Sequence, residues 1–309
     1  MSDQRVHAIW LNGALVDARG PHISVTDRGF QLGDGLFETA RARRGVVIEL
    51  DEHLERLYSG CAALKLNIGM LPDQLAEAID ELLAAEQLGG TGRDGSPIGD
   101  AAIRITVSRG PVERRGLLPP DFEEVVATVA IQAWPYAPTT GEARAITSSI
   151  RRDPASPLAG VKTTSRADYV YARLEAARAG AEEALFLTMD GNLSEASAAN
   201  LFILRSDQLL TPPISAAILV GTTRTWLLAH AERLGLVPME EEDLRPEDLL
   251  EADEAFLTAS VAGIVPLVEV DRRPIGTGRA GPRTRALRAA REDWIDAMSM
   301  AALLPEPPD

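Results

Sequence analysis

The sequence holds few of the side chains on which disulfide-bonded, metal-binding and hydrolytic proteins depend. Its single cysteine, Cys61, excludes an internal disulfide framework and is typical of a protein from a reducing compartment. The four histidines are scattered, and neither a His-x-x-x-His pair nor a Cys-x-x-Cys motif occurs, so no metal site is predicted. A Gly-x-Ser-x-Gly elbow and a Gly-x-x-x-x-Gly-Lys loop are also missing. These absences count against hydrolases and P-loop proteins.

Long apolar runs and net positive charge are absent as well. No run approaches the ~18 residues that span a bilayer, and the segment Met1–Arg5 lacks the pattern of a signal peptide. The formal net charge is −15, which argues against nucleic acid or an anionic membrane as a partner, because both need a cationic face. A local pocket of arginines for a small anion stays compatible with this charge. We expect a cytoplasmic globular protein that acts on small molecules.

Lysine is scarce, because only two of the thirty-one basic residues are lysines. Arginine cannot replace lysine where chemistry needs a deprotonatable primary amine, since the guanidinium stays protonated in proteins. Lys65 lies in a predicted amphipathic helix, where a solvated surface lysine is the expected interpretation. Lys162 follows a loop that contains proline and glycine, and it is predicted to begin a helix, from which a side chain can point into a cleft. Lys162 is therefore the candidate for a Schiff base with a carbonyl cofactor or substrate.

The first part of the chain is predicted to contain strands followed by helices. Asn12-Gly13 and Arg44-Gly45 are hairpin signals, and the second of them precedes a strand predicted over Val46–Leu50. Asp51 is predicted to cap the helix that follows, and a second amphipathic helix is predicted over Leu71–Gln87. This order is typical of a small α+β domain.

After a Pro- and Thr-containing stretch, strands and helices alternate, with helices predicted over 165–179, 222–234 and 282–300. This order favours a larger α/β domain. We therefore predict a small N-terminal domain over 1–134, a linker over 135–142, a large domain over 143–304 and a disordered tail over 305–309.

If Lys162 holds an aldehyde cofactor of the pyridoxal phosphate type, a carboxylate must pair with the pyridine nitrogen and donors must bind the phosphate. Glu195 is a candidate carboxylate in a predicted turn between two apolar strands, although an exposed turn glutamate would look the same. For the phosphate, Arg56 projects from a helix, and Gly221-Thr222-Thr223 begins another helix. Thr258-Ala259-Ser260 could add hydroxyls. Helix capping explains the two threonines equally well.

Taken together, these segments resemble the class IV aminotransferases, the fold type IV pyridoxal-phosphate enzymes. That group includes branched-chain and D-amino-acid aminotransferases, (R)-selective amine transaminases and aminodeoxychorismate lyase. The matching segments follow the family's order along nearly the whole chain: Asp27-Arg28-Gly29, Gly33-Asp34-Gly35-Leu36-Phe37-Glu38-Thr39, His53-Leu54-Glu55-Arg56-Leu57, Gly160-Val161-Lys162, Leu193-Ser194-Glu195, Ala199-Asn200-Leu201-Phe202, Leu219-Val220-Gly221-Thr222-Thr223-Arg224 and Phe256-Leu257-Thr258-Ala259-Ser260.

This resemblance implies the type IV architecture, pyridoxal 5′-phosphate as cofactor, and a role for each matching residue. Lys162 would carry the Schiff base and the proton, and Glu195 would pair with the pyridine nitrogen. The resemblance also implies a homodimer whose active sites borrow a loop from the neighbouring subunit. The other implied cofactor contacts are Arg56, Leu219, Gly221, Thr222, Thr223 and Ser260, and the implied substrate contacts are Phe37, Thr39, Arg114 and Ala259.

The reaction within the family stays open. Branched-chain aminotransferases usually carry a tyrosine five residues after the lysine, where this chain has Ala167, and their Gly-Thr-Ala-Ala-Glu segment is replaced by Ala259-Ser260-Val261-Ala262-Gly263. The stretch from Ser108 to Arg114 is similar to D-amino-acid aminotransferases and to aminodeoxychorismate lyases, although their following histidine or tyrosine is missing. We expect an aminotransferase, with a lyase that forms 4-aminobenzoate and pyruvate as the alternative. A non-catalytic carrier of pyridoxal phosphate is a third hypothesis.

Overall fold

The computed structural model describes residues 7–20, 22–89, 99–113, 116–118, 125–138, 141–238 and 243–303. The chain divides into two compact units. The first comprises Met1–Ala137, Val161–Ser165 and Ile295–Asp309, and the second comprises Pro138–Gly160 and Arg166–Trp294. Each unit combines a β-sheet with helices, so the predicted α/β class is confirmed.

The first unit takes in two segments from beyond residue 143, Val161–Ser165 and Ile295–Asp309. Within the predicted linker, Pro135 and Tyr136 end a strand, while residues 139–140 lie outside the described part of the chain. The predicted tail at 305–309 also lies outside it. Among the described residues, no helix is both long enough and apolar enough to cross a membrane.

An antiparallel six-stranded sheet forms the first unit, in the order β2-β1-β6-β5-β3-β4. Its strands are β1 (Ala8–Leu11), β2 (Ala14–Asp17), β3 (Gly35–Arg43), β4 (Val46–Val47), β5 (Asp100–Ser108) and β6 (Thr128–Tyr136). The helices of this part of the chain are α1 (Arg28–Leu32), α2 (Leu50–Ala63) and α3 (Pro72–Ala85).

Side-chain alternation along β3 determines what each face of this sheet holds. Leu36 and Ala40 are buried in a hydrophobic core that also contains Leu57 of α2 and Leu75 of α3. Burial of such side chains stabilises the unit by about 2 kcal/mol each. Phe37 points to the opposite face, because successive side chains in a strand alternate. The helices therefore cover one face of the sheet, and β3 presents a different set of residues on the other.

The second unit contains a nine-stranded mixed sheet in the order β12-β11-β10-β13-β14-β7-β8-β9, with β15 paired to β14. Its strands are β7 (Ala143–Arg152), β8 (Glu183–Thr188), β9 (Leu193–Ala196), β10 (Asn200–Arg205), β11 (Gln208–Leu210), β12 (Val237–Pro238), β13 (Glu254–Ala259), β14 (Gly263–Val270) and β15 (Arg273–Pro274). The remaining helices of the described chain are α4 (Ala167–Ala179), α5 (Thr222–His230), α6 (Pro246–Leu250) and α7 (Pro282–Ala302).

Strands β8 and β10 of this sheet carry nearly continuous apolar runs because they are buried on both faces. All six residues of β8 are buried, and Phe202 of β10 stacks on Phe256 of β13 with ring centroids 5.3 Å apart. Continuous burial of this kind is typical of sheets covered by helices on both sides. Within this unit, β9, β10 and β13 carry polar residues at their ends, and these residues lie near the start of α5.

The beginning of α2 differs from the prediction. β4 ends at Val47, and Leu50 already belongs to α2, so the strand predicted over Val46–Leu50 was too long. Asp51 is not the cap, since Glu49 occupies the N-cap position with a φ of 55° and without a side-chain capping bond. Asp51 lies in the first turn, where a negative charge stabilises the helix through its dipole. Asp51 therefore belongs to the first turn of the helix but is not its N-cap.

Lys65 lies beyond the end of α2 rather than within it. Its φ is 49°, and its backbone N–H donates to the carbonyl of Ala62 at 3.1 Å. The next residue, Leu66, donates to the carbonyl of Cys61 at 2.8 Å. These bonds satisfy carbonyls at the helix terminus, as left-handed residues commonly do there. The side chain of Lys65 is exposed, as expected.

Two further helix boundaries differ from the predictions. The helix expected over 165–179 begins at Ala167, and the helix expected over 222–234 ends at His230. A separate 3₁₀ turn, Glu232–Leu234, follows the second helix and ends at Gly235 with a φ of 72°. Apolar periodicity continues through such a turn, so the sequence pattern did not mark the break.

Candidate active site

Lys162 lies in an extended segment of the first unit and does not begin a helix as predicted. The N–H of Phe37 donates to the carbonyl of Lys162 at 3.0 Å, and the N–H of Thr164 donates to the carbonyl of Gly35 at 2.9 Å. Thr163 forms an antiparallel bridge with Leu36 between these two bonds. The segment therefore pairs with the start of β3 like a short additional strand, and this pairing fixes the backbone that carries the amine.

Phe37 contacts two basic side chains on the face of the first sheet opposite to α2 and α3. The Nζ atom of Lys162 lies 4.7 Å from the centroid of the Phe37 ring. The guanidinium carbon of Arg104, on β5, lies 3.5 Å from the same centroid. Thr39, the other substrate residue predicted on β3, is half-buried and sits opposite Arg104 in the sheet register. Lys162, Phe37 and Thr39 are thus close together, and Arg104 joins them.

Arg56 faces a buried carboxylate on the helix-covered side of the same sheet. Its Nε donates to Glu38 Oε1 at 2.8 Å, and its Nη2 donates to Glu38 Oε2 at 2.7 Å. His53 Nδ1 lies 2.8 Å from the same Oε2 atom, while its buried Nε2 has no hydrogen-bond partner among the described residues. Burial would raise the pKa of Glu38, but hydrogen bonds from Arg56 and His53 outweigh it and lower the pKa to about 2. Glu38 is therefore ionised and orients Arg56.

Glu195 belongs to strand β9 in the second unit, whereas the sequence predicted a turn there. Its side chain is buried, because β9 pairs with β8 along a sheet covered on both faces. Oε2 accepts the N–H of Leu219 at 2.8 Å, and Oε1 lies 3.5 Å from Nη2 of Arg152. A buried carboxylate needs such a cationic partner, and Arg152 supplies it.

Tyr169 adds a third group beside Glu195. Its hydroxyl donates to Glu195 Oε1 at 3.3 Å, and the guanidinium of Arg166 lies 3.3 Å from its ring centroid. Burial raises the pKa of Tyr169 to about 12, and the negative charge of Glu195 adds to this rise. The hydroxyl therefore keeps its proton and acts as a hydrogen-bond donor to the carboxylate.

The start of α5 is arranged as an anion-binding cradle within the second unit. Gly221 is the N-cap and contributes no side-chain capping bond, so the first turn of this nine-residue helix is not closed by its own cap. Thr222 Oγ1 lies 3.1 Å from Ser260 Oγ. The hydroxyl of Thr223 is buried and has no hydrogen-bond partner among the described residues. Backbone N–H groups, hydroxyls and the helix dipole together favour an anionic group here.

Asn200 shapes this cradle from strand β10. Its Nδ2 donates to the carbonyl of Leu219 at 2.7 Å, while the N–H of Leu219 is held by Glu195. A Cβ at position 221 would lie 2.2 Å from Asn200 Oδ1, so only glycine fits there. Leu219 is thus fixed through both of its backbone polar groups, and Gly221 follows it two residues later.

The predicted site residues fall into two sets. The first unit holds Arg56, Lys162, Phe37 and Thr39, and the second holds Glu195, Leu219, Gly221, Thr222, Thr223, Ser260 and Ala259. Arg114, the predicted carboxylate contact, lies outside the described residues.

The sequence patterns did not identify a role for six polar residues that contact or adjoin these two sets. They are Glu38, His53, Arg104, Arg152, Tyr169 and Asn200. Charged or amide residues inside strands were the available signal for Glu38, Arg104 and Asn200.

Comparison with known proteins places this chain among aminotransferases. The profile of the family described as amino-transferase class IV matches residues 35–270. A Methanocaldococcus jannaschii protein provisionally named a branched-chain-amino-acid aminotransferase is 36% identical over 288 residues, which are 92% of this chain and 95% of that protein. D-alanine aminotransferase of Bacillus licheniformis is 29% identical over 93% of this chain and 96% of its own length.

Solved structures agree with these relatives. The T.th. branched-chain amino acid aminotransferase with pyridoxamine 5′-phosphate superposes with a TM-score of 0.85 at 29% identity, over 95% of each chain. That similarity extends over both units of the fold described above.

Proposed function

This chain belongs to the class IV aminotransferases, and we propose that it transfers an amino group between an amino acid and a 2-oxo acid with Lys162 as the catalytic amine. The observation that carries the role of Lys162 is its placement. Its backbone is paired with β3, and its Nζ lies beside the buried ring of Phe37. A fixed, half-buried amine is what a Schiff base with a carbonyl compound requires.

The enzyme depends on pyridoxal phosphate, and the residues around the two sets fit that group. When bound, pyridoxal phosphate supplies an aldehyde carbon that takes up the amino group and a ring that withdraws electrons. The buried hydroxyl of Thr223 and the uncapped start of α5 suit a phosphate. We assign phosphate binding to Arg56, Gly221, Thr222, Thr223 and Ser260, and packing against the ring to Leu219.

Each remaining residue of the proposed site has a separate task. Nζ of Lys162 receives the proton that leaves the substrate Cα and returns it later in the transfer. Glu195, whose Oε1 lies 3.5 Å from Nη2 of Arg152, would pair with the pyridine nitrogen and favour its protonated form. Phe37, Thr39 and Ala259 bound the substrate, and Arg114 remains a predicted substrate contact. Burial of Phe37 and Glu195 keeps water away from these groups.

A D-amino acid is the donor we propose. Ala167 and the Ala259–Gly263 segment depart from the branched-chain pattern, and the stretch from Ser108 to Arg114 is similar to that of D-amino-acid aminotransferases. The relative from Bacillus licheniformis is named for D-alanine, whereas the one from Methanocaldococcus jannaschii is named for branched-chain amino acids. L-leucine is therefore the comparison substrate in every assay of donor choice.

Aminodeoxychorismate lyase is the second candidate, because the same stretch from Ser108 to Arg114 is also similar to those lyases. A lyase would release pyruvate and 4-aminobenzoate from aminodeoxychorismate, and it would use Lys162 and Glu195 in the same positions. The products separate the two reactions, since transamination forms no 4-aminobenzoate.

We further propose a cytoplasmic homodimer. Support for the dimer comes from large apolar side chains that the first unit leaves at least 73% exposed, namely Val25, Phe30, Leu117, Leu118 and Val126. Apolar exposure of this kind often marks a protein–protein interface. The cytoplasm is proposed from the single, buried cysteine. Light scattering coupled to gel filtration would report twice the chain mass for the dimer.

The first experiment is a spectrum of the purified protein with pyridoxal phosphate, followed by addition of D-alanine or L-leucine without any 2-oxo acid. Conversion of the visible cofactor band to the pyridoxamine 5′-phosphate band by D-alanine supports the proposed donor. Conversion by L-leucine alone would reassign the donor. A band that neither amino acid changes, together with release of 4-aminobenzoate from aminodeoxychorismate, would establish the lyase instead.

A further inference from the structure

The first unit contains a cleft of about 710 Å³ between helix α3, strands β1 and β6, and the segment that joins α2 to α3. Its apolar lining includes Trp10 of β1, Val129 of β6 and Ala78 of α3, together with Ile68 and Met70 of the joining segment. Clefts of about 300–1,000 Å³ with a mainly apolar lining commonly hold small organic molecules. This cleft therefore has the size and the surface for a small-molecule ligand.

The α3 side of the cleft carries negative charge. Gln74, Glu77 and Glu81 line it at helical spacing, so they lie on one face of α3. Both glutamates are exposed, and neither forms an ion pair with any residue that the structure describes. The described lining residues include no lysine, arginine or histidine. Like charges one turn apart on a helix repel each other, so a cation bound between these carboxylates would stabilise both.

Trp10 connects this charge with the apolar base of the cleft. Trp10 is 5% exposed, and its Nε1 donates to Glu81 Oε2 at 3.1 Å. That bond satisfies the indole N–H and holds the carboxylate beside the indole, while a carboxylate can accept further hydrogen bonds through both of its oxygens. An indole is also the aromatic group that attracts cations most strongly. An anionic acceptor therefore lies directly beside an apolar surface.

We propose that this cleft binds an organic ammonium ion with an apolar body, whose charge lies against Glu77 and Glu81 and whose body lies against Trp10. The cleft is separate from the proposed catalytic amine. Trp10 belongs to the hydrophobic core that α2 and α3 cover, whereas Lys162 borders Phe37 on the opposite face of the sheet. The inference goes beyond the aminotransferase reaction and does not depend on it.

The chemical class of the ligand follows from the two kinds of surface in the cleft. The glutamates would repel an anion, and a neutral apolar molecule would desolvate them without compensation. An inorganic cation would pair with the carboxylates but would leave the apolar base in contact with water. A protonated amine with a hydrocarbon body uses both surfaces, because its N–H groups meet carboxylate oxygens while its body is buried.

Binding can be measured by calorimetric titration of the holoenzyme with protonated N,N-dimethyl-2-phenylethylamine. This tertiary amine cannot form a Schiff base with the aldehyde of the cofactor, so the titration reports on binding alone. N,N-dimethyl-2-phenylacetamide is the neutral comparison, because it keeps the aromatic ring and the two methyl groups. We expect one amine to bind per chain at least about tenfold more tightly than the amide, with an affinity that falls as salt is added.

Substitutions on α3 test where the charge of the amine lies. Glu77→Gln and Glu81→Gln should each weaken amine binding about fivefold, and the double variant should weaken it at least about tenfold. Binding of the amide should not change. Asp80→Asn is the matched control, because Asp80 is an exposed acid on the same helix and is not among the residues that line the cleft. Should Glu81→Gln lower the melting temperature through its bond to Trp10, Glu77→Gln carries the test.

The position of the apolar body can be tested at Trp10. Its indole N–H resonance, identified by its loss in Trp10→Phe, should shift in a heteronuclear NMR spectrum as the amine is added. The indole resonances of the other tryptophans should stay in place. A shift confined to those other tryptophans would locate the amine elsewhere and overturn the inference.

The titrations can also refute the proposal. A wild type that binds no amine, or that binds amine and amide equally well, would overturn it. Amine affinity within twofold of wild type in the double variant, or an equal loss in Asp80→Asn, would overturn it too. Failure of the proposed aminotransferase reaction has a different signature, since an enzyme that converts no amino donor would leave all of these binding measurements unchanged.

Discussion

Glu38 meets Arg56 through two parallel hydrogen bonds of 2.8 and 2.7 Å, so a buried acid fixes the orientation of the arginine assigned to the phosphate. Arg56 has N–H groups beyond those two, and Glu38 limits the directions they can take. If Arg56 binds the phosphate as proposed, Glu38 would influence cofactor binding through the arginine. Its partner His53 contributes a third contact to the same carboxylate.

Glu38→Gln should weaken pyridoxal phosphate binding about tenfold, because the amide keeps the shape of the side chain but loses the charge that holds Arg56. The dissociation constant can be measured from the absorbance of the bound cofactor. The ³¹P chemical shift of the bound phosphate should change as well. A variant with wild-type affinity and an unchanged phosphorus signal would show that Glu38 serves only the fold.

Stability should depend on Glu38 in acid. The pKa of Glu38 is lowered from 4.5 to about 2, so its ionised form stabilises the fold above pH ~5, and this contribution is lost as the pH falls through the folded value. The difference in unfolding free energy between wild type and Glu38→Gln should be on the order of 3 kcal/mol near neutrality and should shrink between pH ~5 and ~2. Urea denaturation at several pH values measures it. Parallel pH curves for the two proteins would contradict this account.

Lys162→Ala should abolish the visible band of the bound cofactor, since no other amine takes the position paired with β3. Lys162→Arg should fail equally, because arginine keeps the charge but cannot form the covalent bond. Lys65→Arg is the matched control, since Lys65 is exposed at the end of α2. A band that survives in Lys162→Ala would move the assignment to another amine. The measurement needs only an absorbance spectrum.

Gly221→Ala should reduce cofactor affinity at least about tenfold. The added methyl group would lie 2.2 Å from Asn200 Oδ1 and would push that side chain away from the carbonyl of Leu219. Both the backbone at Leu219 and the first turn of α5 would then shift. Gly99→Ala is the control, because a Cβ there meets nothing within 4 Å. Equal affinities for the two variants would exclude the clash as a determinant of binding.

Tyr169→Phe removes one hydrogen bond to Glu195 and keeps the aromatic ring between its neighbours. We expect a loss of about fivefold in cofactor affinity, which corresponds to about 1 kcal/mol for a single hydrogen bond. Arg152→Gln should have a larger effect, because it leaves the buried Glu195 without its cationic partner. The affinities of both variants, and the ¹⁵N shift of the pyridine nitrogen in labelled cofactor, provide the readout. A larger effect from Tyr169→Phe than from Arg152→Gln would reverse this order.

The sequence predicted the fold class, the family and the cofactor, because these depend on local patterns and on short motifs in a fixed order. It could not predict that Glu195 lies inside a strand, since a short run of small residues is compatible with both a turn and a buried strand. It also did not predict Glu38 or Arg104 as parts of the site. Arg56, the partner of Glu38, lies 18 residues further along the chain, and Phe37, the partner of Arg104, lies on the neighbouring strand. Only the tertiary structure brings these residues together.

Boundaries of helices were the weakest predictions for a related reason. Asp51 and Ser165 carry the chemistry of caps, yet α2 begins before the first and α4 begins after the second. At α2 the N-cap is Glu49, which makes no side-chain capping bond. Near Ser165, the hydroxyl donates to the carbonyl of Gly33 at 3.0 Å and so is used outside the helix.

The pairing of Lys162 with the start of β3 makes the location of the amine a property of strand register. A deletion of one residue within β3 would exchange the faces of Phe37 and its neighbours, and it would also carry the lysine segment along the sheet by about 3.3 Å. Substitutions in this unit should therefore be tolerated more readily than insertions or deletions. Because β3 carries Phe37 and also pairs with the Lys162 segment, the distance between the amine and the ring depends on the register of this sheet.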